Sequence, residues 1–201
     1  TKIEERFPKA ALSATIVDEG INGYRDEAMK IAIENCDKLG VPYATVSFRD
    51  IFGHTLDEIV QKTKDAKLTP CSYCGVLRRR ALNIGAKSVG ADKIATAHNL
   101  DDETQTSLLN VIRGDPLRIL RARPVSAPVH PDFVRRVKPL CEVPEREVAL
   151  YAYTKRIALQ SAPCPYASRA LRNDVRNMLN RLEEKHPGTK FTICLLYTSD
   201  A

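Results

Sequence analysis

Lys93-Ile94-Ala95-Thr96-Ala97-His98-Asn99-Leu100-Asp101-Asp102-Glu103 is the stretch that decides the fold. A short β-type run, Lys93–Ala97, turns into a helix expected over 101–112, whose Leu108, Leu109 and Ile112 face inward. Three acids crowd the start of that helix, where the macrodipole favours negative charge. Carboxylates at this place can hold Mg²⁺ bridging ATP phosphates or act as a general base. Ordinary N-capping explains one of Asp101 and Asp102 equally well. His98 either contacts a ligand or bonds within the turn.

Outward from this stretch the same alternation repeats. Leu12–Val17 is a β-type run that leaves through Asp18-Glu19-Gly20, an acidic, glycine-bearing exit of the kind that faces ligands in α/β sheets. A helix is expected over 24–39, closed by Gly40. The strand 43–48 follows, and Thr55 can cap a helix to about 62 with Glu58 at the box position. Helices are expected over 74–89, 144–153 and 169–185, and a strand over 133–140. The four prolines between 116 and 132 mark a long loop. Strands alternating with helices imply an α/β fold, a parallel sheet with helices on both faces.

The chemistry is densest in Cys71-Ser72-Tyr73-Cys74-Gly75-Val76-Leu77-Arg78-Arg79-Arg80. Two thiols at Cys-x-x-Cys spacing can ligate one metal, occupy two corners of an iron–sulfur cluster, or form a redox dithiol. Two unliganded cysteines near a helix start are the bland alternative. One further well-placed cysteine, Cys164 in Pro163-Cys164-Pro165-Tyr166, stands out. Three protein ligands leave a coordination position open, and catalytic metal sites keep one open. Cys36 and Cys141 lie on apolar faces and read as small buried hydrophobes. Arg78, Arg79 and Arg80 fan over more than half of a helix surface, so at least one turns toward the sheet and can grip a phosphate bidentately.

The chain of 201 residues carries 31 Lys and Arg against 25 Asp and Glu, a formal net charge of +6. One main domain is the prior at this length. Much of the excess lies between Arg113 and Lys138, where seven basic residues stand against two acids. This is either a solvated linker or a surface that follows a phosphate backbone, with Arg113, Arg118, Arg121, Arg123, Arg135 and Arg136 as the RNA-contacting candidates. No apolar run approaches the ~20 residues of a membrane span. Six unevenly spaced cysteines suit a reducing cytoplasm better than a disulfide scaffold. Leu195–Ala201 continues no pattern and reads as a tag or sequence artefact.

These motifs resemble the TtuA-like family of tRNA 2-thiolation enzymes, within the PP-loop ATP pyrophosphatase superfamily. The pieces are Asp18 to Asp26 (DEGINGYRD), Pro70 to Arg80, Ala97 to Glu103, Arg113-Gly114-Asp115 and Cys164-Pro165-Tyr166, in family order. The first and the Val76–Arg80 run look most like the branch acting on wobble uridine 34. A T-loop uridine 54 thiolase, a TtcA-type cytidine thiolase and a non-catalytic zinc- or RNA-binding module are the alternatives. The resemblance implies a HUP-like, adenine nucleotide α-hydrolase fold. It implies adenylation of uridine O2 by ATP with Mg²⁺, attack of sulfur at C2, and departure of AMP. It assigns a [4Fe–4S] or [3Fe–4S] cluster to Cys71, Cys74 and Cys164, catalytic roles to Arg78 and Asp101, and the nucleotide pocket to Asp18, Gly20, His98 and Asp102. Its partners would be tRNA and a ubiquitin-like sulfur-carrier protein, with a homodimer allowed.

The superfamily's Ser-Gly-Gly-x-Asp-Ser loop would precede Leu12 by several tens of residues. The chain is therefore expected to be a fragment lacking that loop, the first, central strand and the flanking zinc modules, and to be inactive alone. Residues 1–155 would be the partial catalytic domain, 156–191 its C-terminal helical part and 192–201 a non-native tail. Without the central strand the sheet should fall into two half-sheets.

Overall fold

The computed structural model describes residues 10–64, 68–115, 132–167 and 171–198. Two compact units divide the chain: one joins 1–91 with 157–167, the other joins 92–156 with 168–201. One short segment, 157–167, returns to the first unit.

In the first unit, β1 (Ala14–Asp18) pairs in parallel with β2 (Tyr43–Ser47), Ala14 opposite Tyr43 and Asp18 opposite Ser47. Between them runs α1 (Arg25–Leu39). Gly40 ends it in the left-handed conformation, φ 62°, its N–H returning to the last turn. A short helix that the sequence reading missed, α2 (Phe48–Phe52), continues directly from β2 and is capped by Ser47. Its Phe48 is fully buried and meets Phe52 edge-on, with ring centroids 5.4 Å apart. Burial of one such ring contributes about 1.5–3 kcal/mol. Helix α3 (Leu56–Lys62) carries the anticipated capping box between Thr55 and Glu58.

Helix α4 spans Pro70–Ser88, one turn longer at its start than the apolar periodicity suggests. Thr69 is extended and Pro70 sits at the first helical position, where its missing N–H costs nothing. The helix lies close on β1 and β2 because residue 85 is glycine: a Cβ there would stand 2.5 Å from Thr15 Cγ2. Val17, Ile21, Phe48, Leu56 and Ala81 form the core of this unit, with Cys74, Leu77, Cys164 and Tyr166 packed against it.

The second unit holds β3 (Lys93–Ala95), parallel to β4 (Arg135–Val137). The strand expected over 133–140 is thus three residues long. Helix α5 (Leu100–Ile112) follows β3, and α6 (Glu145–Thr154), α7 (Leu171–Lys185) and α8 (Thr189–Thr198) complete the unit. Leu109 of α5 packs against Val175 and Leu179 of α7 and against Ile193 of α8. The helix Thr189–Thr198 runs into the segment 192–201 expected to be a non-native tail, and Cys194 is buried beside the carbonyl of Cys141.

The fold is α/β, and its described strands form two two-stranded parallel sheets. Among the described residues no helix is long and apolar enough to cross a membrane.

Candidate functional site

Cys71 and Cys74 occupy the first turns of α4, three residues apart and therefore on one face. Cys164 arrives on the returning segment 157–167. Three bonds tie that segment down: Asn35 Nδ2 donates to Ala158 O (3.0 Å), Gln160 Nε2 to Tyr24 O (2.7 Å) and Tyr166 Oη to Asp57 Oδ1 (2.6 Å). Asp57 in turn accepts the Asn22 N–H at 2.9 Å, so one carboxylate anchors two loops. Burial and then Asp57 push the Tyr166 phenol up to about 12, which keeps it a neutral donor. The Cys71 thiol lies 3.6 Å from Tyr166 O, and Cys164 packs on the same core as Cys74.

Cys74 and Cys164 thus pack on one core, and Cys71 contacts the backbone two residues beyond Cys164. Burial pushes the Cys74 thiol up; Arg78 opposes this, while Glu19, Cys164 and Cys71 add to it. Among the described residues, no three His, Cys, Asp or Glu side chains are gathered as a site for a metal ion. The donor set suits a thiolate-held cluster better than a single ion. Three thiols from two segments can each take a different iron corner, whereas one ion needs its ligands to meet at a point. Cys71 is exposed and Cys164 half-buried, so this group of thiols opens to solvent.

Arg78, Arg79 and Arg80 are all exposed, and Arg78 is the one that reaches back to the end of β1. Its Nε lies 2.6 Å from Oε1 of Glu19, at the end of β1. Burial works against the Arg78 charge, but Glu19 and Cys74 raise its pKa above the ordinary value. Asp18 accepts the Gly20 N–H at 2.8 Å. Gly20 is at φ +66°, and a Cβ would fall 2.5 Å from Thr55 Cγ2. Both expected pocket residues therefore shape the β1 exit, and glycine is required at 20 by conformation and by contact.

In the second unit, Asn99 is the N-cap of α5, and Asp102 closes a capping box with it: Asp102 N–H donates to Asn99 Oδ1 (2.9 Å), Asn99 N–H to Asp102 Oδ2 (3.2 Å). Asp102 also faces Arg172 at 3.4 Å. Asp101 is buried; its Oδ2 accepts the Glu145 N–H at 2.7 Å and its Oδ1 pairs with Lys190. Burial alone would raise the Asp101 pKa, but the Glu145 N–H and Lys190 outweigh it and hold it below the usual carboxylate range. His98 is exposed, with Nδ1 2.8 Å from Thr96 Oγ1.

Of the arginines expected on RNA, Arg113 caps the end of α5 and is exposed; Arg135 and Arg136 lie on β4. Arg118, Arg121 and Arg123 fall outside the described residues. The sequence reading assigned no role to Glu19, Asp57, Tyr166 or Lys190. Glu19 had a signal, an acid beside a glycine at a strand exit. The partners of Asp57 and Lys190 lie 109 and 89 residues away, beyond any local pattern.

The chain is similar to known proteins along most of its length. The chain is 39% identical over 198 residues to the tRNA 2-thiolation protein NcsA of Haloferax volcanii, covering 96% of the chain and 61% of that protein. It is 41% identical over 192 residues to a probable sulfurtransferase of Methanocaldococcus jannaschii, covering 94% and 56%. Against cytoplasmic tRNA 2-thiolation protein 1 of Drosophila grimshawi it is 39% identical over 171 residues, covering 85% and 49%. The structure of the U34-tRNA thiolase NcsA from Methanococcus maripaludis with its [4Fe-4S] cluster superposes with a TM-score of 0.83 at 38% identity, covering 97% of this chain and 64% of that one. The chain thus spans about half to two thirds of the relatives it matches. The PP-loop domain family matches residues 3–183, and the chain belongs to that family.

Proposed function

We propose that the protein is an ATP-dependent tRNA sulfurtransferase that forms 2-thiouridine, with wobble uridine 34 as its target. What supports this is that Cys164, about ninety residues on, packs on the same core as Cys74, with Cys71 Sγ 3.6 Å from Tyr166 O and Arg78 one turn along α4, in a chain so similar to proteins named for tRNA 2-thiolation. In the reaction, uridine O2 attacks the α-phosphorus of ATP and pyrophosphate leaves. Sulfur then bonds to C2, and the C2–O2 bond breaks as AMP departs.

The chain's residues divide this work. Cys71, Cys74 and Cys164 would hold a [4Fe–4S] cluster, which when bound supplies an iron without a protein thiolate, where sulfur can be kept. Arg78 carries a permanent positive charge beside the thiols and can donate to an oxyanion at the reacting nucleotide. Asp18 and Gly20 form the turn that faces the nucleotide, and the 98–102 turn lies at the corresponding strand end of the second sheet. Asp101 would serve the nucleotide chemistry once its Lys190 contact is released. Arg113, Arg135 and Arg136 would follow the tRNA backbone, and a ubiquitin-like thiocarboxylate protein would deliver sulfur in the cytoplasm.

Mass spectrometry of tRNA from a strain lacking the gene tests this. Complementation with the whole gene should restore 2-thiouridine at position 34. Thiolation at position 54, or of a cytidine, would replace the reading by another thiolase of the superfamily. Tight binding of one zinc with no thiolation would replace it by a binding module.

A further inference from the structure

Glu19 is the buried charge that the proposed chemistry leaves unexplained. Its side chain is 1% exposed, yet it lies between two arginines rather than among donors that would saturate it. Oε1 is 2.6 Å from Arg78 Nε. Oε2 is 2.7 Å from Arg25 Nε but receives no hydrogen bond, because Arg25 Nε and Nη2 both donate to Val17 O. A buried carboxylate with one bare oxygen is costly, and the charge of Arg25 behind it offsets that cost without gripping it.

The backbone beneath Glu19 cannot easily shift. Its carbonyl accepts the Leu56 N–H at 2.7 Å, and the next residue, Gly20, is pressed on Thr55. The carboxylate is therefore a fixed point. It meets Arg78 at Nε, one of five guanidinium N–H donors, and leaves the terminal amino groups uncommitted. Among the described residues no other acceptor meets Arg78, whose side chain is 48% exposed. Cys74 is four residues earlier on the same helix face.

We infer that Glu19 is a positioning residue that grips Arg78 by Nε and turns its terminal fork outward beside Cys74, to receive a phosphate-type oxyanion. This rests on the sulfurtransferase reading for which oxyanion that is, but the grip itself does not. Without Glu19 the guanidinium would swing among rotamers and lose the fixed orientation that bidentate recognition needs.

Arginine side-chain NMR of the chain tests this, with inorganic phosphate as the probe and the Arg78 signal assigned by its loss in Arg78→Gln. The expected result is an Arg78 Nε–H protected from solvent exchange, freely exchanging terminal N–H groups, and a response to phosphate that weakens by about 10-fold in Glu19→Gln. Iron uptake by the three thiols should be the same in both. In the whole protein, Glu19→Gln should lower kcat by on the order of 10²-fold and add little to Arg78→Gln. An Arg78 signal indifferent to phosphate, or equally responsive in Glu19→Gln, overturns the proposal. If Glu19→Gln does not fold, the wild-type spectrum decides: terminal N–H groups as protected as Nε–H overturn it. Loss of iron uptake in the wild type would instead count against the sulfurtransferase reading and leave the grip standing.

Discussion

The β1–α4 region and the β3–α5 region both place charged residues where a strand hands over to a helix, but they dispose of those charges differently. At Asp101 and Asp102 every carboxylate oxygen is engaged, by Lys190, by the Glu145 N–H, by the capping box and by Arg172. At Cys71, Cys74, Cys164 and Arg78 the groups converge but keep open valences: exposed or half-buried thiols and a guanidinium held at one corner. Acidic residues in a helix's first turn are equally good at binding a ligand and at finishing the helix. Thiols and a half-held guanidinium have no such structural use, so they carry the functional argument more firmly.

The strongest way to break this contrast is Cys164→Ala. The account expects loss of iron–sulfur reconstitution and of tRNA thiolation, whereas Cys36→Ala should leave both; equal behaviour of the two variants would contradict it. Next is Lys190→Met, which leaves Asp101 buried with one donor and should cost about 3 kcal/mol in denaturant unfolding. A loss below ~0.5 kcal/mol would show that the Asp101 pair is not the closed structural contact described. The same pair sets an acid limit. Because the folded Asp101 pKa lies below its unfolded value, its stabilisation is complete above about pH 4 and is lost as pH falls through the folded value. Urea midpoints should therefore drop more steeply toward pH 3 in the wild type than in an Asp101→Asn variant.

Tyr166→Phe should cost about 1–2 kcal/mol by leaving Asp57 short of a donor, and should loosen the Cys164 segment. The raised phenol pKa adds a sign: the stabilisation is full below about pH 10 and lost as pH rises toward about 12. Tyr166→Phe should flatten that alkaline loss. The smallest effect is at Thr55→Ala, about 1 kcal/mol for the capping box of α3.

Much of this fold was legible in the sequence where the signal is local. Gly40 closing α1, the Thr55–Glu58 box and the alternation of strand and helix all follow from spacings of a few residues. The start of α4 was placed a turn late because Thr69 and Pro70 were not read as cap and first helical residue. The Cys-x-x-Cys pair with Cys164 was legible as chemistry but not as geometry; what seats Cys164 is Tyr166 on Asp57 and Gln160 on Tyr24, contacts more than a hundred residues apart. N-capping was expected of Asp101 or Asp102, but Asn99 is the N-cap and Asp102 answers it from the third helical position. That Asp101 is closed off by Lys190 was not, since no short-range pattern couples α5 to α8.

The most direct test is thiol footprinting. The chain would be reconstituted anaerobically with iron and sulfide, alkylated without denaturation, and mapped by mass spectrometry beside the iron-free chain. The account predicts that Cys71, Cys74 and Cys164 become protected together while Cys36 alkylates equally in both samples. Protection of Cys71 and Cys74 with Cys164 still fully reactive would contradict it.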